Sequence, residues 1–337
     1  MSRLRVLTLP AARLELGAEL SPVRIAFRTW GRLAPRGDNA VVVCHALTGD
    51  ADADAWWSGL FGPGRALDPD TDFIICANVL GGCYGSTGPT SVNPETGLPW
   101  GSMFPEITVR DIVAVQRCLL DALGVRRVRF VIGGSLGGMQ VLEWALLDPD
   151  RVEAIVSIAA SGRHSAWSIA IGEAQRQAIA AAADPAAGLA VARQIAMISY
   201  RSRDALEQRF GRTTHDDGRW RVSSWLCMHG ERLVERFDAQ TYLTLSRAMD
   251  HHDVARGRGT YQAVLGNIAQ LALIIGIDSD VLYPLDEQEE LARLLPQARF
   301  EVLRSPHGHD AFLIEIEALN DLVVAFRQSL LHAQAVA

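Results

Sequence analysis

Residues 128–140 are the stretch that most constrains how this chain can fold. An apolar, β-branched run ends at paired glycines, one serine follows, and an apolar helical pattern then resumes: VRFVIGGSLGGMQ. Residues 133–137 match G-x-S-x-G, a sharp strand-to-helix turn that lifts a serine hydroxyl out of a sheet and needs small flanking residues. The alternatives are a glycine-rich turn without chemistry and a nucleotide-binding turn, although the glycines do not follow G-x-G-x-x-G. The pattern favours Ser135 as a nucleophile.

Strand and helix patterns alternate on both sides of this turn. A helical pattern at residues 109–123 is stopped by Gly124, and residues 23–29 alternate as an antiparallel edge strand does. Apolar runs, typical of strands buried on both faces, occupy residues 40–44, 73–77, 153–159 and 271–276, and residues 299–303 are predicted as a further strand. The alternation predicts an α/β fold with a mostly parallel central sheet flanked by helices.

The pattern changes between residues 161 and 259. This segment is rich in alanine, arginine and glutamine, has helical periodicity and lacks apolar strand runs. We predict a helical cap of residues 161–259, inserted into an α/β core formed by residues 1–160 and 260–337. A last amphipathic helix is predicted over residues 311–330.

Composition excludes several classes of function. The chain has no lysine, so all 32 of its basic residues are arginine. Schiff-base chemistry and a Walker A lysine are therefore excluded, and proton transfer must fall to histidine or carboxylates. The net charge of −7 disfavours nucleic acid or an anionic membrane as a partner.

Compartment and metal content are also predicted from the sequence. No apolar run approaches the roughly 18 residues that span a bilayer, and the first residues lack the pattern of a signal peptide, so we expect a cytoplasmic protein. Five cysteines without C-x-x-C spacing favour buried free thiols over a disulfide framework or a zinc site. His251, His252 and Asp253 have no second ligand cluster, so we expect no metal.

A serine nucleophile needs a histidine base oriented by a carboxylate, and in α/β hydrolases the chain order is Ser, Asp or Glu, then His. Two late strands are followed by suitable loops, which contain Asp278 and Asp280, and His307 and His309. Spacing alone leaves both choices open. The glycine-rich residues 81–88 could cradle a phosphate, but no helix follows at once, so a structural loop near the site is the preferred interpretation.

Several motifs together resemble the homoserine O-acetyltransferase family, acyltransferases with the α/β-hydrolase fold. The resemblance extends from about residue 20 to the end and is specific among proteins of that fold. The motifs are residues 45–49, 78–83, 85–89, 91–94, 133–140, 236–238, 247–250 and 278–280.

The resemblance implies a role for each site residue. It implies Ser135 as nucleophile, Asp280 as orienting acid and His309 as base, with the Leu47 and Leu136 backbone N–H groups as oxyanion donors. It also implies Arg201 and Asp310 as substrate holders. Members of the family are typically homodimers through the cap that act in methionine biosynthesis, with no bound cofactor and with acetyl-CoA or succinyl-CoA as cosubstrate.

The chain departs from the family pattern at two places. Met103 stands where an acidic residue is expected, and the stretch containing Asp52 and Asp54 lacks an expected histidine.

The activity that the resemblance implies is acetyl transfer from acetyl-CoA to L-homoserine by a ping-pong mechanism. A homoserine or serine O-succinyltransferase, a carboxylesterase and a catalytically inactive binding module remain the alternatives.

Overall fold

The computed structural model describes the backbone of residues 2–336 and the side chains of residues 2–330. Its strands are β1 (Arg5–Leu9), β2 (Ala12–Arg13), β3 (Glu19–Leu20), β4 (Val23–Trp30), β5 (Ala40–Cys44), β6 (Phe73–Ala77), β7 (Val128–Gly134), β8 (Ala154–Ile158), β9 (Leu271–Ile277) and β10 (Ala298–Leu303). Its helices are α1 (Ala53–Trp56), α2 (Val109–Leu123), α3 (Leu136–Leu147), α4 (Ala166–Ala181), α5 (Pro185–Tyr200), α6 (Arg203–Phe210), α7 (Arg221–Val234), α8 (Ala239–Asp250), α9 (Tyr261–Gly266), α10 (Leu285–Leu294), α11 (Ala311–Ile314) and α12 (Ile316–Val336).

One sheet of eight strands organises the described residues, in the order β1-β4-β6-β5-β7-β8-β9-β10. β4 pairs antiparallel with β1 and β6, and the remaining pairs are parallel. β5, β6 and β8 are buried at every position, which explains their continuous apolar sequences. The predicted α/β class and mostly parallel sheet are confirmed. β2 and β3 form a separate two-stranded ribbon.

Register places the carboxyl ends of three central strands at the same level. Cys44 of β5 pairs with Gly133 of β7, and Gly134 pairs with Ile158 of β8. The loop after β5 and the turn after β7 therefore begin side by side at the edge where parallel sheets bind ligands.

Apolar cores lie on both faces of the sheet. One core contains Ile112 of α2 and Leu291 of α10, and the other contains Val323 and Phe326 of α12. The periodic sequence of α2 begins at Thr108, which forms a capping box with Asp111, and ends at Gly124 with a φ of +77°. Both ends of this helix agree with the prediction.

Helices α4 to α8 lie within residues 161–259, where the cap is predicted, and α9 follows them in the predicted core, before β9. The division into a cap of residues 161–259 and a core of residues 1–160 and 260–337 stays a prediction, and residues 1 and 337 lie outside the described residues. Within the part of the chain that the structure describes, no helix is long and apolar enough to cross a membrane.

The predicted last helix is wrong in one respect. The chain forms α11, breaks at Glu315 and continues as α12 to Val336. The Glu315 backbone N–H donates to the Ala311 carbonyl, while its carboxylate accepts a hydrogen bond from Ser305 Oγ at 2.9 Å. Anchoring Glu315 to the loop after β10 redirects the chain, and this bond to a residue ten positions earlier leaves no signal in the helical pattern.

Candidate active site

The turn between β7 and α3 holds Ser135 in a strained conformation. Ser135 has a φ of +58°, a region that residues other than glycine rarely adopt. The flanking glycines are required by space, because a Cβ on Gly133 would lie 2.5 Å from the Gly137 backbone and a Cβ on Gly137 would lie 2.1 Å from the Cys44 carbonyl oxygen. This is the geometry of a nucleophile elbow, with Ser135 immediately before the N-terminus of α3.

His309 and Asp280 form a buried pair. His309 Nδ1 lies 2.6 Å from Asp280 Oδ2, and both side chains are almost fully buried. The other carboxylate oxygen accepts hydrogen bonds from the backbone N–H groups of Leu282 and Tyr283 at 2.8 and 3.0 Å. Burial lowers the pKa of His309, but the charge and hydrogen bond of Asp280 and the charge of Asp310 outweigh it, so the pKa is raised.

The alternative residues in the two loops face elsewhere. His307 is 38% exposed, against 4% for His309, and its Nε2 lies 3.9 Å from Glu315 Oε1. Asp278 Oδ1 accepts a hydrogen bond from the Ser305 backbone N–H at 2.9 Å. Asp278 therefore joins the two loops, while Asp280 and His309 make the contact that a base and its orienting acid require.

Phe312 joins the elbow to the histidine loop. A Cβ on Gly134 would lie 2.8 Å from the Phe312 ring, and that ring is 5.6 Å from the His309 ring with an interplanar angle of 79°. Trp57 also fixes this segment, because its Nε1 donates to the Phe312 carbonyl at 2.9 Å. The residue before Ser135 and the His309 imidazole thus contact the same aromatic ring.

The predicted oxyanion donors lie at the two elements beside Ser135. Leu136 is the first residue of α3, where a backbone N–H has no partner within the helix. Leu47 is buried in the turn after β5, which is closed by a hydrogen bond from the Gly49 N–H to the Ala46 carbonyl. Gln140 Nε2 donates to the carbonyls of both His45 and Leu136, and so joins this turn to the start of α3.

His45, which the sequence analysis did not single out for itself, fixes the turn after β5. Its Nδ1 lies 2.8 Å from the Ala46 carbonyl, and its Nε2 accepts a hydrogen bond from the Val79 N–H. Those partners require the neutral tautomer with the proton on Nδ1. Burial lowers the pKa of His45, which agrees with that tautomer. The sequence signal that could have identified this role is the position of His45 directly after the buried strand β5.

Arg201 and Asp310 are paired with each other. Arg201 Nη2 lies 3.2 Å from Asp310 Oδ2, and both side chains are mostly buried. Asp204 is exposed on α6 and is not the partner of Arg201, and Arg203 is exposed as well. Burial raises the pKa of Asp310, against the opposing charges of Arg201 and Arg193. Asp310 directly follows His309 in the chain, and Arg201 lies at the end of α5.

Comparisons with known proteins agree with this geometry. Residues 39–186 match the family model of the α/β hydrolase fold. The chain is 56% identical over 329 residues to the homoserine O-acetyltransferase of Trichormus variabilis, covering 94% of this chain and 91% of that protein. It is 55% identical over 328 residues to that of Chloroherpeton thalassium, covering 94% and 87%. The chain belongs to the homoserine O-acetyltransferase family.

Solved structures of homoserine O-acetyltransferases share the fold. The Staphylococcus aureus enzyme is 30% identical, with a TM-score of 0.82 over 97% of this chain and 95% of that one. Esterase E22 has a TM-score of 0.89 over 97% and 100% of the two chains at 24% identity, which shows the fold alone. The predicted family, its enzymatic character and the α/β-hydrolase fold are confirmed.

A cavity of about 270 Å³ is lined by Gly134, the residue before Ser135, in this member of the homoserine O-acetyltransferase family. Its apolar walls include Trp56, Trp57 and Phe312, and two arginines, Arg193 and Arg236, also line it. Arg236 Nη1 donates to the Thr48 carbonyl and to the Tyr84 hydroxyl, each at 2.7 Å. Arg236 therefore anchors the segment between α7 and α8 to the turn that contains Leu47.

The loop of residues 81–88 is built as a structural loop. The Gly81 N–H donates to the Thr87 carbonyl at 2.8 Å. Asn78 holds the loop to the next segment, because its Nδ2 donates to the Tyr84 carbonyl and its Oδ1 accepts from the Ala51 N–H, both at 2.6 Å. These contacts agree with the preferred interpretation, and Asn78 was not identified from the sequence for this role.

The departures from the homoserine O-acetyltransferase pattern lie at different depths. Met103 is 77% exposed, whereas Asp52 forms an ion pair with Arg28.

His252 is buried, its Nε2 lies 3.2 Å from the Ser161 carbonyl, and burial lowers its pKa to about 3. Among the described residues, no group of three or more ligating side chains could hold a metal ion. All five cysteines are free, with Cys118 and Cys227 exposed rather than buried as predicted.

Proposed function

We propose that this enzyme transfers an acetyl group from acetyl-CoA to the hydroxyl of L-homoserine through an acyl-Ser135 intermediate. The observation that carries the proposal is the Arg201–Asp310 pair beside His309, in a chain whose relatives at 55–56% identity are homoserine O-acetyltransferases. A pair of opposite charges next to a base suits an acceptor that carries both a carboxylate and an ammonium group.

In the first half-reaction Ser135 becomes acylated. His309 Nε2 accepts the Ser135 hydroxyl proton as Oγ attacks the thioester carbonyl carbon. The Leu47 and Leu136 N–H groups stabilise the oxyanion of the tetrahedral intermediate. The C–S bond then breaks, and His309 returns the proton to the thiolate, so that free CoA thiol leaves. Asp280 holds the imidazole with its proton on Nδ1 and stabilises the imidazolium.

In the second half-reaction the acceptor replaces the thiol. His309 removes the proton of the homoserine hydroxyl, whose oxygen attacks the acyl carbon of acyl-Ser135. The ester bond to Oγ breaks, and His309 returns the proton to Ser135. The result is O-acetylhomoserine and the free enzyme, by a ping-pong sequence.

The acceptor is held by exchange of ion pairs. The Arg201 guanidinium takes the homoserine carboxylate with two parallel hydrogen bonds, and Asp310 takes the ammonium. Arg201 Nε supports this role, because it is buried and has no hydrogen-bond partner among the described residues. Asp310 contacts only Nη2 of the Arg201 guanidinium, so an N–H donor of that group is left for the substrate.

The donor side is proposed to be the cavity of about 270 Å³. Its apolar walls suit a short acyl group and the pantetheine chain, while Arg193 and Arg236 at its lining are available to phosphates. Arg193 has no acidic partner within 4.0 Å among the described side chains, and its guanidinium lies over the Tyr200 ring at 5.2 Å.

A carboxylesterase is the second candidate, because water can replace homoserine as the acceptor. Esterase E22 and the acetyl esterase MekB share the fold, the latter at 25% identity and a TM-score of 0.83. In our proposal the cap excludes water, so that transfer outruns hydrolysis. A homodimer formed through the cap would support that exclusion, and Val191 and Ile198 of α5 are exposed apolar residues available to a second copy.

One assay separates these activities. Purified protein is offered acetyl-CoA or succinyl-CoA with homoserine, serine or no acceptor, and released thiol is measured. The proposed role is that of a cytoplasmic enzyme of methionine biosynthesis. It predicts fast release of thiol only with acetyl-CoA and homoserine. Preference for succinyl-CoA or for serine would move the assignment within the family, and equal release without an acceptor would establish the esterase.

A further inference from the structure

Tyr283 contacts both members of the buried base–acid pair. Its backbone N–H donates to Asp280 Oδ1 at 3.0 Å, and its ring lies 5.3 Å from the His309 ring at an interplanar angle of 39°. The side chain is fully buried. Any displacement of Tyr283 would therefore move the carboxylate, the imidazole or both.

The Tyr283 hydroxyl is the end of a second buried Asp–His arrangement. Its oxygen lies 3.1 Å from His164 Nε2, and His164 Nδ1 lies 3.2 Å from Asp250 Oδ1. A carboxylate only accepts, so Nδ1 carries the proton and Nε2 accepts the hydrogen bond from the Tyr283 hydroxyl. Arg176 Nη2 completes the set at 2.5 Å from Asp250 Oδ2.

Arg176, Asp250, His164 and Tyr283 together connect the predicted cap to His309. Arg176 belongs to α4 and Asp250 to α8, whereas Tyr283 lies in the loop after β9 that also contains Asp280. A small cavity of about 30 Å³ borders Tyr283 and Leu47. Beside this cavity, the hydrogen bond to His164 fixes the position of the Tyr283 hydroxyl.

We propose that Asp250, His164 and Tyr283 are positioning residues that hold His309 and Asp280 in the geometry needed for proton transfer. The proposal rests on the proposed role of His309 as the base. None of the three supplies a proton to the substrate, because the Tyr283 hydroxyl faces His164. Their action is through the orientation of the imidazole, to which proton transfer is sensitive.

The test uses three variants: Tyr283→Phe, Asp250→Asn and the double variant that combines these two. The control is Tyr261→Phe. Tyr261 is a matched control, since it is also a buried tyrosine and lies on α9, where it contacts neither Asp280 nor His309 in the described structure. The first readout is the burst of p-nitrophenol from p-nitrophenyl acetate, which reports acylation of Ser135 without any acceptor. The second is the downfield proton NMR signal of the His309 Nδ1–H, assigned by its loss in His309→Ala.

We expect Tyr283→Phe to lower the burst rate about 10-fold, without changing the substrate concentration at half-saturation, and to shift or broaden the downfield signal. The double variant should be no slower than the slower single variant, because the residues act as one chain. Tyr261→Phe should keep both readouts. Unchanged readouts in Tyr283→Phe, additive losses, or an equal loss in Tyr261→Phe would overturn the proposal.

The two readouts also separate this proposal from the proposed function. A wild-type protein that releases no p-nitrophenol at all contradicts the role of Ser135, while the downfield signal still decides whether Tyr283 and Asp250 fix the imidazole. A normal burst without transfer to homoserine contradicts the acceptor assignment and leaves the positioning test intact.

Discussion

Arg201 Nη2 lies 3.2 Å from Asp310 Oδ2, so the two residues predicted to hold the two charges of the acceptor neutralise each other. Neither charge is left unpaired in a mostly buried site, where an isolated charge is costly. Homoserine can enter by exchanging one internal ion pair for two with the substrate. An acceptor with only one of the two charges would leave either the arginine or the aspartate without a partner.

Arg201→Lys and Asp310→Asn should separate the two half-reactions. Lysine keeps the charge without the planar fork, and asparagine removes the charge that takes the ammonium. Each variant should lower kcat/KM for homoserine about 10- to 100-fold, because hydrogen bonds to charged groups are lost, while acylation by acetyl-CoA stays near the wild-type rate. Rapid-quench measurement of acylation, beside steady-state transfer, checks both expectations.

Arg203→Lys is the matched control for Arg201, since Arg203 is an exposed arginine two residues away. It should leave both half-reactions unchanged. An acceptor-holding role is excluded for Arg201 or Asp310 if its variant slows acylation as much as overall transfer.

Asp280→Asn should change the pH profile as well as the rate. The carboxylate raises the pKa of His309, and the base works only when neutral, so the acid limb of kcat/KM should lie above the ordinary histidine pKa of about 6.5. Removing the charge lowers the His309 pKa and moves that limb to lower pH. The rate at the optimum should fall about 10⁴-fold. An acid limb that does not move would show that another group controls it.

His309→Ala should be far more damaging than His307→Ala. Loss of the buried histidine removes the base, and the expected fall in kcat is about 10⁶-fold, similar to loss of the serine, because such residues act as a unit. His307 faces Glu315 and is partly exposed, so its alanine variant should lose less than about threefold. Steady-state assays of both purified variants decide the order, and the reverse ranking would refute the assignment.

The sequence predicts the sheet well because burial on both faces leaves a local signature. Residues 40–44 and 73–77 are predicted as strands and are β5 and β6, and residues 109–123 are α2. The glycines around Ser135 are also visible in the sequence as a motif, although the atoms that require them belong to distant segments, such as the Cys44 carbonyl and the Phe312 side chain.

Contacts between distant loops leave no such signature. Spacing does not separate Asp278 from Asp280 or His307 from His309, because the choice depends on how two loops meet across β9 and β10. The break at Glu315 depends on its contact with Ser305, and the pairing of Arg201 with Asp310 joins residues 109 positions apart. The resemblance selects Asp280 and His309, whereas the contacts among Tyr283, His164 and Asp250 are visible only in the structure.

The most direct test of the account is to search for the acyl enzyme. The protein is mixed with acetyl-CoA without acceptor, quenched within milliseconds to seconds, digested and analysed by peptide mass, with Ser135→Ala as the control. We predict one acetyl group on the peptide that contains Ser135, absent from the variant and removed on addition of homoserine with formation of O-acetylhomoserine. An acetyl group on another residue, or none at any quench time while turnover proceeds, would contradict the two-step mechanism.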